Sequence, residues 1–207
     1  MKLRSRFAWP LAALAAAVLG LSCATAPTIP LRDNVAIKKT AYGSPADSVL
    51  VYGSASQVRT IFGAGPIDNL EMIQLNPAQR PMIITPARSG PVFFTEPLPV
   101  GSSVRFFYFS IKQGRTITFY ERGAQGQGPT DRKLAKPGLL YLGSLVYCDK
   151  RYFDDRKLSL RAFDESTADL YPAGDVKEID ALKSFLPKFK GTDWEPIIAA
   201  RIEELKK

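Results

Sequence analysis

From residue 48 onward the chain alternates short apolar runs with turn-forming residues. Residues 48–53 (Ser-Val-Leu-Val-Tyr-Gly), 71–75, 81–85 and 91–95 are each short, β-branched or aromatic, and bounded by Pro, Gly or Asn, so each predicts a strand. The clearest hairpin joins residues 104–111 to residues 115–122 across Lys112, Gln113 and Gly114. In its second strand Ile117 and Phe119 share one face, while Thr116, Thr118 and Tyr120 share the other. The first strand, with Phe106, Phe107, Tyr108 and Phe109, is apolar on both faces. Such a strand is expected in the middle of a sheet covered on each side. The alternative is that one aromatic face is a binding surface. Pro137 and Gly138 make a turn into a long apolar strand, and residues 158–163 alternate and predict a final strand.

After residue 164 the period changes. Asp175 followed by Glu178 reads as a helix start in the style of a capping box. Val176, Ile179, Leu182 and Leu186 then recur at helical spacing with Phe185 beside them, and Pro187 ends that helix. A second helix is predicted with Asp193 as its cap and with Trp194, Ile197, Ile198, Ile202 and Leu205 on one face. The apolar stripe of this pair is to be buried on the β-rich part or on a partner protein. The expected fold class is therefore mainly β: an antiparallel β-sandwich of about eight strands with two C-terminal α-helices.

The first residues follow a different pattern. Lys2, Arg4 and Arg6 form a cationic head, and residues 7–21 are apolar and uncharged, interrupted only by Pro10 and Gly20. This run has the length of a signal-peptide core and is shorter than a membrane-spanning helix. It is followed by Leu19-Gly20-Leu21-Ser22-Cys23, which resembles the lipobox of bacterial lipoproteins. Ser22 is a usual small residue before the Cys; Gly20 stands where that family commonly has Leu, and Leu19 lies one position earlier. The resemblance implies cleavage before Cys23, lipid on its thiol, and anchoring to the membrane by the acyl chains. The residue after Cys23 is Ala24 rather than Asp, which in the proteobacterial members points to the outer membrane. If Cys23 carries lipid, Cys148 has no intramolecular partner and reads as a buried small hydrophobe. A Cys23–Cys148 disulfide is the competing use.

A second resemblance lies in residues 98–147. Leu98-Pro99-Val100-Gly101-Ser102 precedes the aromatic strand, and Lys136-Pro137-Gly138 precedes Tyr141-Leu142-Gly143. These turns resemble small β-sandwich modules of the carboxypeptidase-regulatory or transthyretin-like type. What the resemblance implies is a sandwich; it carries almost nothing about function. The organisation expected is a signal peptide at residues 1–22, a lipidated Cys and tether at 23–47, a β-sandwich at 48–163 and a helical appendage at 164–207.

Charge narrows the partners. Three of the 28 basic residues and none of the 20 acidic ones fall in the leader, which leaves a surplus of five in the remainder. Much of it reads as solvated mixed-charge stretches around Asp149-Lys150-Arg151 and Asp154-Asp155-Arg156-Lys157. That argues against nucleic acid and leaves an anionic lipid or polysaccharide as a target for a basic face. The chain contains no histidine. Ser-His-Asp and Cys-His catalysis and His-ligated zinc are thereby excluded. The loop at residues 123–129 is glycine-rich, but it lacks the order of a dinucleotide fingerprint and the Lys of a P-loop. Asp164, Glu165 and Asp169 form at most a weak Ca²⁺ cluster, and a solvated loop is the simpler account. No cofactor and no catalytic residue is expected.

The sequence therefore favours a non-catalytic binding or envelope-structural module, held to the membrane through Cys23, with another envelope protein or a polysaccharide as candidate partner. Two alternatives stay open. One is a periplasmic carrier whose hydrophobic ligand sits in a cavity lined by residues such as Phe106, Tyr108, Phe119 and Tyr141. The other is a polysaccharide or peptide hydrolase using paired carboxylates.

Overall fold

Along Asn69–Leu75 half-buried and buried positions alternate strictly, the mark of a strand with one face in a core, although the sequence alternates polar with apolar only as far as Met72 and buries the polar Gln74. The computed structural model describes residues 43–60, 63–75, 81–113, 116–121, 131–155 and 163–207. The leader, Cys23, most of the tether, Gly114, the loop 123–129 and residues 158–162 of the expected final strand lie outside the described residues.

In chain order the strands are β1 (Ser48–Thr60), β2 (Gly63–Pro66), β3 (Asn69–Leu75), β4 (Met82–Ile84), β5 (Ala87–Ser89) and β6 (Val92–Phe94). They continue with β7 (Leu98–Pro99), β8 (Ser103–Gln113), β9 (Thr116–Glu121), β10 (Arg132–Lys133), β11 (Gly138–Cys148) and β12 (Asp169–Tyr171). The helices are α1 (Lys150–Asp155), α2 (Glu178–Phe185) and α3 (Glu195–Glu204). Strand outweighs helix among the described residues, so the protein is mainly β.

The strands form two sheets. A seven-stranded sheet runs β12-β11-β1-β6-β5, with β2 and β7 also on β1. A five-stranded sheet runs β10-β8-β3-β4, with β9 also on β8. The five-stranded sheet is antiparallel throughout, but β1 and β11 pair in parallel, so the larger sheet is mixed rather than wholly antiparallel as expected. Parallel neighbours need a long crossover, and here the whole five-stranded sheet lies in the sequence between β1 and β11.

One core joins the two sheets. Val49, Val51 and Ala55 of β1, with Leu142, Leu145 and Tyr147 of β11, cluster with Leu70 and Met72 of β3 and with Phe106 and Phe109 of β8. Two β-bulges set which residues point into it. Where Glu71 and Met72 pair with Tyr108 and Phe106, β8 carries one extra residue, Phe107. Phe106 and Phe109 therefore both face inward although three positions apart. Between Tyr52/Ser54 of β1 and Tyr141/Ser144 of β11 the extra residue is on β11. Gly143 there has φ +98°, a left-handed conformation that L side chains rarely adopt. The inward parity changes across it, from Leu140 and Leu142 to Leu145 and Tyr147. Facing it, Gly53 leaves no room for a side chain: an added Cβ would stand 2.8 Å from both the Gly143 carbonyl oxygen and Phe93 Cζ.

The C-terminal helices cover the other face of the larger sheet. Leu50, Tyr52, Val92 and Phe94 pack against Leu182 and Phe185 of α2, Trp194, and Ile198 and Ile202 of α3. The helical stripe is thus buried within the chain. Its caps differ from those expected. α2 starts at Glu178 with Lys177 at the cap position and no side-chain capping bond, so Asp175 does not form a capping box. Glu178 is engaged elsewhere, by Tyr52 and Arg201. α3 starts with Trp194 in the cap position. The turn before it is closed by Thr192, whose Oγ1 accepts the Trp194 N–H at 3.3 Å, and by Glu195, whose Oε2 accepts the Gly191 N–H at 2.6 Å; Asp193 does not cap it. Pro187 does stop α2, converting the chain to a 3-10 turn over Leu186–Phe189.

Candidate binding face

The two sheets differ in what lies on their outer sides. The larger sheet is covered by α2 and α3. On the outer side of the five-stranded sheet no described element packs. Its residues follow from the register, because directly opposed residues share a face. Val104 and Phe106 point inward, so Ser103 and Arg105 point outward, and with them Leu75 and Ile73 of β3, Ile83 of β4 and Lys133 of β10. Beyond the β8 bulge Phe109 and Ile111 point inward, which turns Tyr108 and Ser110 outward beside Glu71, Asn69 and Phe119.

This face is an aromatic and aliphatic surface with charges set into it. Phe119 is 60% exposed and stacks on Tyr108, ring centroids 5.7 Å apart and planes at 27°. Ile117 and Ile83 are 46% and 56% exposed. Desolvation, and then the neighbouring Glu71 charge, hold the Tyr108 hydroxyl above its ordinary pKa, so it remains a neutral donor at physiological pH. Of the five large hydrophobic residues that are exposed among the described residues, Met82, Ile83, Ile117 and Phe119 belong to β4 and β9 at the two margins of this sheet; only Val100 lies elsewhere. The expectation that the aromatic strand β8 is covered on both sides is therefore corrected among the described residues. The bulge directs two of its rings into the core and leaves Tyr108 outside.

The other residues singled out in the sequence do not converge on a site. Phe106 lies in the inter-sheet core, Tyr141 packs between the larger sheet and the helices, and Tyr108 and Phe119 are on the outer face, so these four line no common cavity. Cys148 is buried beside Val58, Val146 and Ala173. Asp164 Oδ1 accepts from Ser166 Oγ at 2.6 Å and from its N–H at 3.0 Å, and Asp169 Oδ1 accepts the Leu170 N–H at 2.7 Å. These carboxylates close turns, and among the described residues no group of three His, Cys, Asp or Glu is placed to hold a metal ion.

No family model, no curated protein and no solved structure gives a significant match to this chain.

Two polar clusters escaped sequence reasoning, and both are internal fasteners. Ser54 and Ser144 hydroxyls lie 2.6 Å apart, and Ser144 Oγ also accepts the Val176 N–H at 3.2 Å, which ties β1, β11 and the segment before α2 together. Glu178 receives the Tyr52 hydroxyl at 2.7 Å, Arg201 Nε at 2.9 Å and Arg201 Nη2 at 3.3 Å, which joins sheet, α2 and α3. Burial, and then the Glu178 carboxylate, push the Tyr52 hydroxyl well above its ordinary pKa. These partners are far apart in the sequence, so no local pattern marks them. The outer face did leave a signal, in the separation of Ile117 and Phe119 from Tyr120 along β9.

Proposed function

We propose that this protein is an exported lipoprotein of the cell envelope, anchored through Cys23 at the outer membrane, whose folded part is a β-sandwich with a helical layer and acts as a non-catalytic binding or structural module. The observation that carries the binding reading is the outer face of the five-stranded sheet, where Ile83 and Ile117 stand exposed at opposite margins and Phe119, itself exposed, stacks on Tyr108. Large apolar side chains exposed together on one face are the mark of a contact site. The cationic head, the uncharged run and Ser22-Cys23 support export and lipidation. The lack of histidine removes His-dependent catalysis and His-ligated zinc from the alternatives.

Intact-mass spectrometry of the membrane fraction tests the anchor. The expected species begins at Cys23 and carries acyl mass, whereas Cys23→Ala leaves an unlipidated chain. A native protein found soluble in the cytoplasm with residues 1–22 intact overturns the reading. Photo-crosslinkers placed at position 119 and, as a control, at position 188 test the face in living cells. Adducts confined to position 119 support it, and equal adducts at both sites refute it.

A further inference from the structure

Beyond the β8 bulge the outer face of the five-stranded sheet sets its polar residues in the middle and its apolar ones at the margin. On the middle strands, β3 and β8, stand Asn69, Glu71, Tyr108 and Ser110. Ile117 and Phe119 stand exposed on β9, outside them. Register sets Tyr108 directly between Glu71 and Glu121, so the central row carries two acidic residues, and it sets Ser110 between Asn69 and Phe119. Neighbouring strands lie about 5 Å apart and alternate residues of one strand about 7 Å apart, so these positions make one compact patch. Asn69, Glu71 and Tyr108 are half-buried, and among the described residues none of the three side chains makes a hydrogen bond or an ion pair. Phe119 gives part of its ring to Tyr108 and is still 60% exposed, which leaves the rest of the ring to solvent.

We propose that this patch binds an uncharged polysaccharide strand, with sugar C–H groups lying on the Phe119 ring and sugar hydroxyls pairing with Asn69, Glu71 and the Tyr108 hydroxyl. The proposal rests on the reading of this face as a binding surface and adds the class of ligand. A protein interface buries an apolar centre inside a polar rim. Here that order is reversed, so an apolar protein surface laid on the patch would bury a carboxylate, an amide and a hydroxyl without partners, at a high desolvation cost. An anionic lipid or polymer would meet like charge at the central row of Glu71 and Glu121. A neutral sugar answers each feature. Its hydroxyls both donate and accept, so they can accept from the Asn69 amide and the Tyr108 hydroxyl and donate to Glu71. The C–H side of its ring is apolar and carries partial positive charge, which suits the negative face of an aromatic ring.

Isothermal titration calorimetry of the full chain, in a detergent without a sugar headgroup, tests this. The neutral probes are cellohexaose and the hexamer of N-acetylglucosamine, and the anionic probe is an oligogalacturonate. Saturable binding of at least one neutral probe is expected, and none of the oligogalacturonate. Phe119→Ala is expected to weaken that binding about tenfold. Tyr108→Phe keeps the ring, removes only the hydroxyl, and is expected to weaken it about fivefold. Ile83→Ser, on the opposite margin of the same sheet, is expected to leave it unchanged. Circular dichroism checks that each variant is folded. The proposal is overturned by an absence of saturable heat with both neutral probes at millimolar concentration, by equal or tighter binding of the oligogalacturonate, by binding that survives both Phe119→Ala and Tyr108→Phe, or by equal loss in Ile83→Ser. If no neutral glycan binds while the crosslinker at position 119 still captures a partner in cells, the ligand class is wrong and the face stands as a binding surface. If both fail, the binding reading falls as well.

Discussion

Tyr52→Phe isolates one hydrogen bond and makes its value depend on pH in a way that can be worked out in advance. Tyr52 is 1% exposed, and its hydroxyl donates to Glu178 Oε1 at 2.7 Å. The ring contacts with Tyr141 and Phe185, at 5.3 and 5.4 Å, survive the substitution. Near neutral pH the variant loses a hydrogen bond to a charged group, at a cost of about 1.5 kcal/mol. At alkaline pH the sign changes. In the unfolded chain the Tyr52 hydroxyl ionises near its ordinary pKa of about 10. In the folded chain, burial and then Glu178 keep it protonated beyond that value. Between the two values the folded state binds more protons, so stability falls as pH rises, by up to about 1.4 kcal/mol per unit. Phenylalanine is blind to this. The wild-type advantage of about 1.5 kcal/mol should therefore vanish about one unit above pH 10 and be slightly reversed near pH 11.5. Urea unfolding of both proteins across that range measures it, since shared titrations of the lysines cancel in the difference. A difference that stays constant from pH 8 to about pH 11.5 would refute the argument that this proton is held by the fold.

Other substitutions probe the remaining layers. Trp194→Ala removes a fully buried ring from the helix–sheet interface and should cost about 3–5 kcal/mol, read by urea unfolding together with loss of the near-ultraviolet signal. Gly53→Ala sets a methyl group against the Gly143 carbonyl and Phe93 and should destabilise by a few kcal/mol, whereas Gly90→Ala, at φ +60° in open space, should cost only about 1 kcal/mol; comparable losses would remove the steric account of the bulge. At Asp149 burial alone would raise the pKa, but the Tyr152 and Asp164 N–H groups and Arg151 outweigh it and hold the carboxyl below its ordinary value. Its contribution is present above the unfolded value of about 4 and should be lost as pH falls through the folded one, so Asp149→Ala should cost about 2 kcal/mol at neutral pH and progressively less under acid, by thermal melts.

The parts of the fold legible in the sequence are those set by neighbours along the chain. The β8–β9 hairpin, the strand after Pro137-Gly138 and the arrest of α2 at Pro187 all follow from turn chemistry and period. What was hidden depends on residues far apart. Nothing near Ser48 or Gly138 announces that β1 and β11 lie parallel and adjacent. Gly53 reads as a strand terminator, yet β1 runs on to Thr60, with the Gly143 carbonyl and Phe93 close against the glycine. The run Phe106–Phe109 suggests two covered faces because periodicity cannot reveal that Phe107 is an inserted residue. At the α2 start the local signal was overruled: Glu178 serves Tyr52 and Arg201 rather than a cap with Asp175. For the candidate face, the alternation in β9 was readable, but its meaning required knowing that the helices cover the opposite sheet.

The parallel union of β1 with β11 has a consequence for the order of assembly. A chain that emerges amino-terminus first delivers β1 before any of its partners, and about ninety residues must follow before β11 can close beside it. The helices that seal Leu50 and Tyr52 arrive later still. Among the described strands the central one is thus the first to appear, and its edge toward β11 is among the last to be paired, so that edge stays open until the final third of the chain has been made.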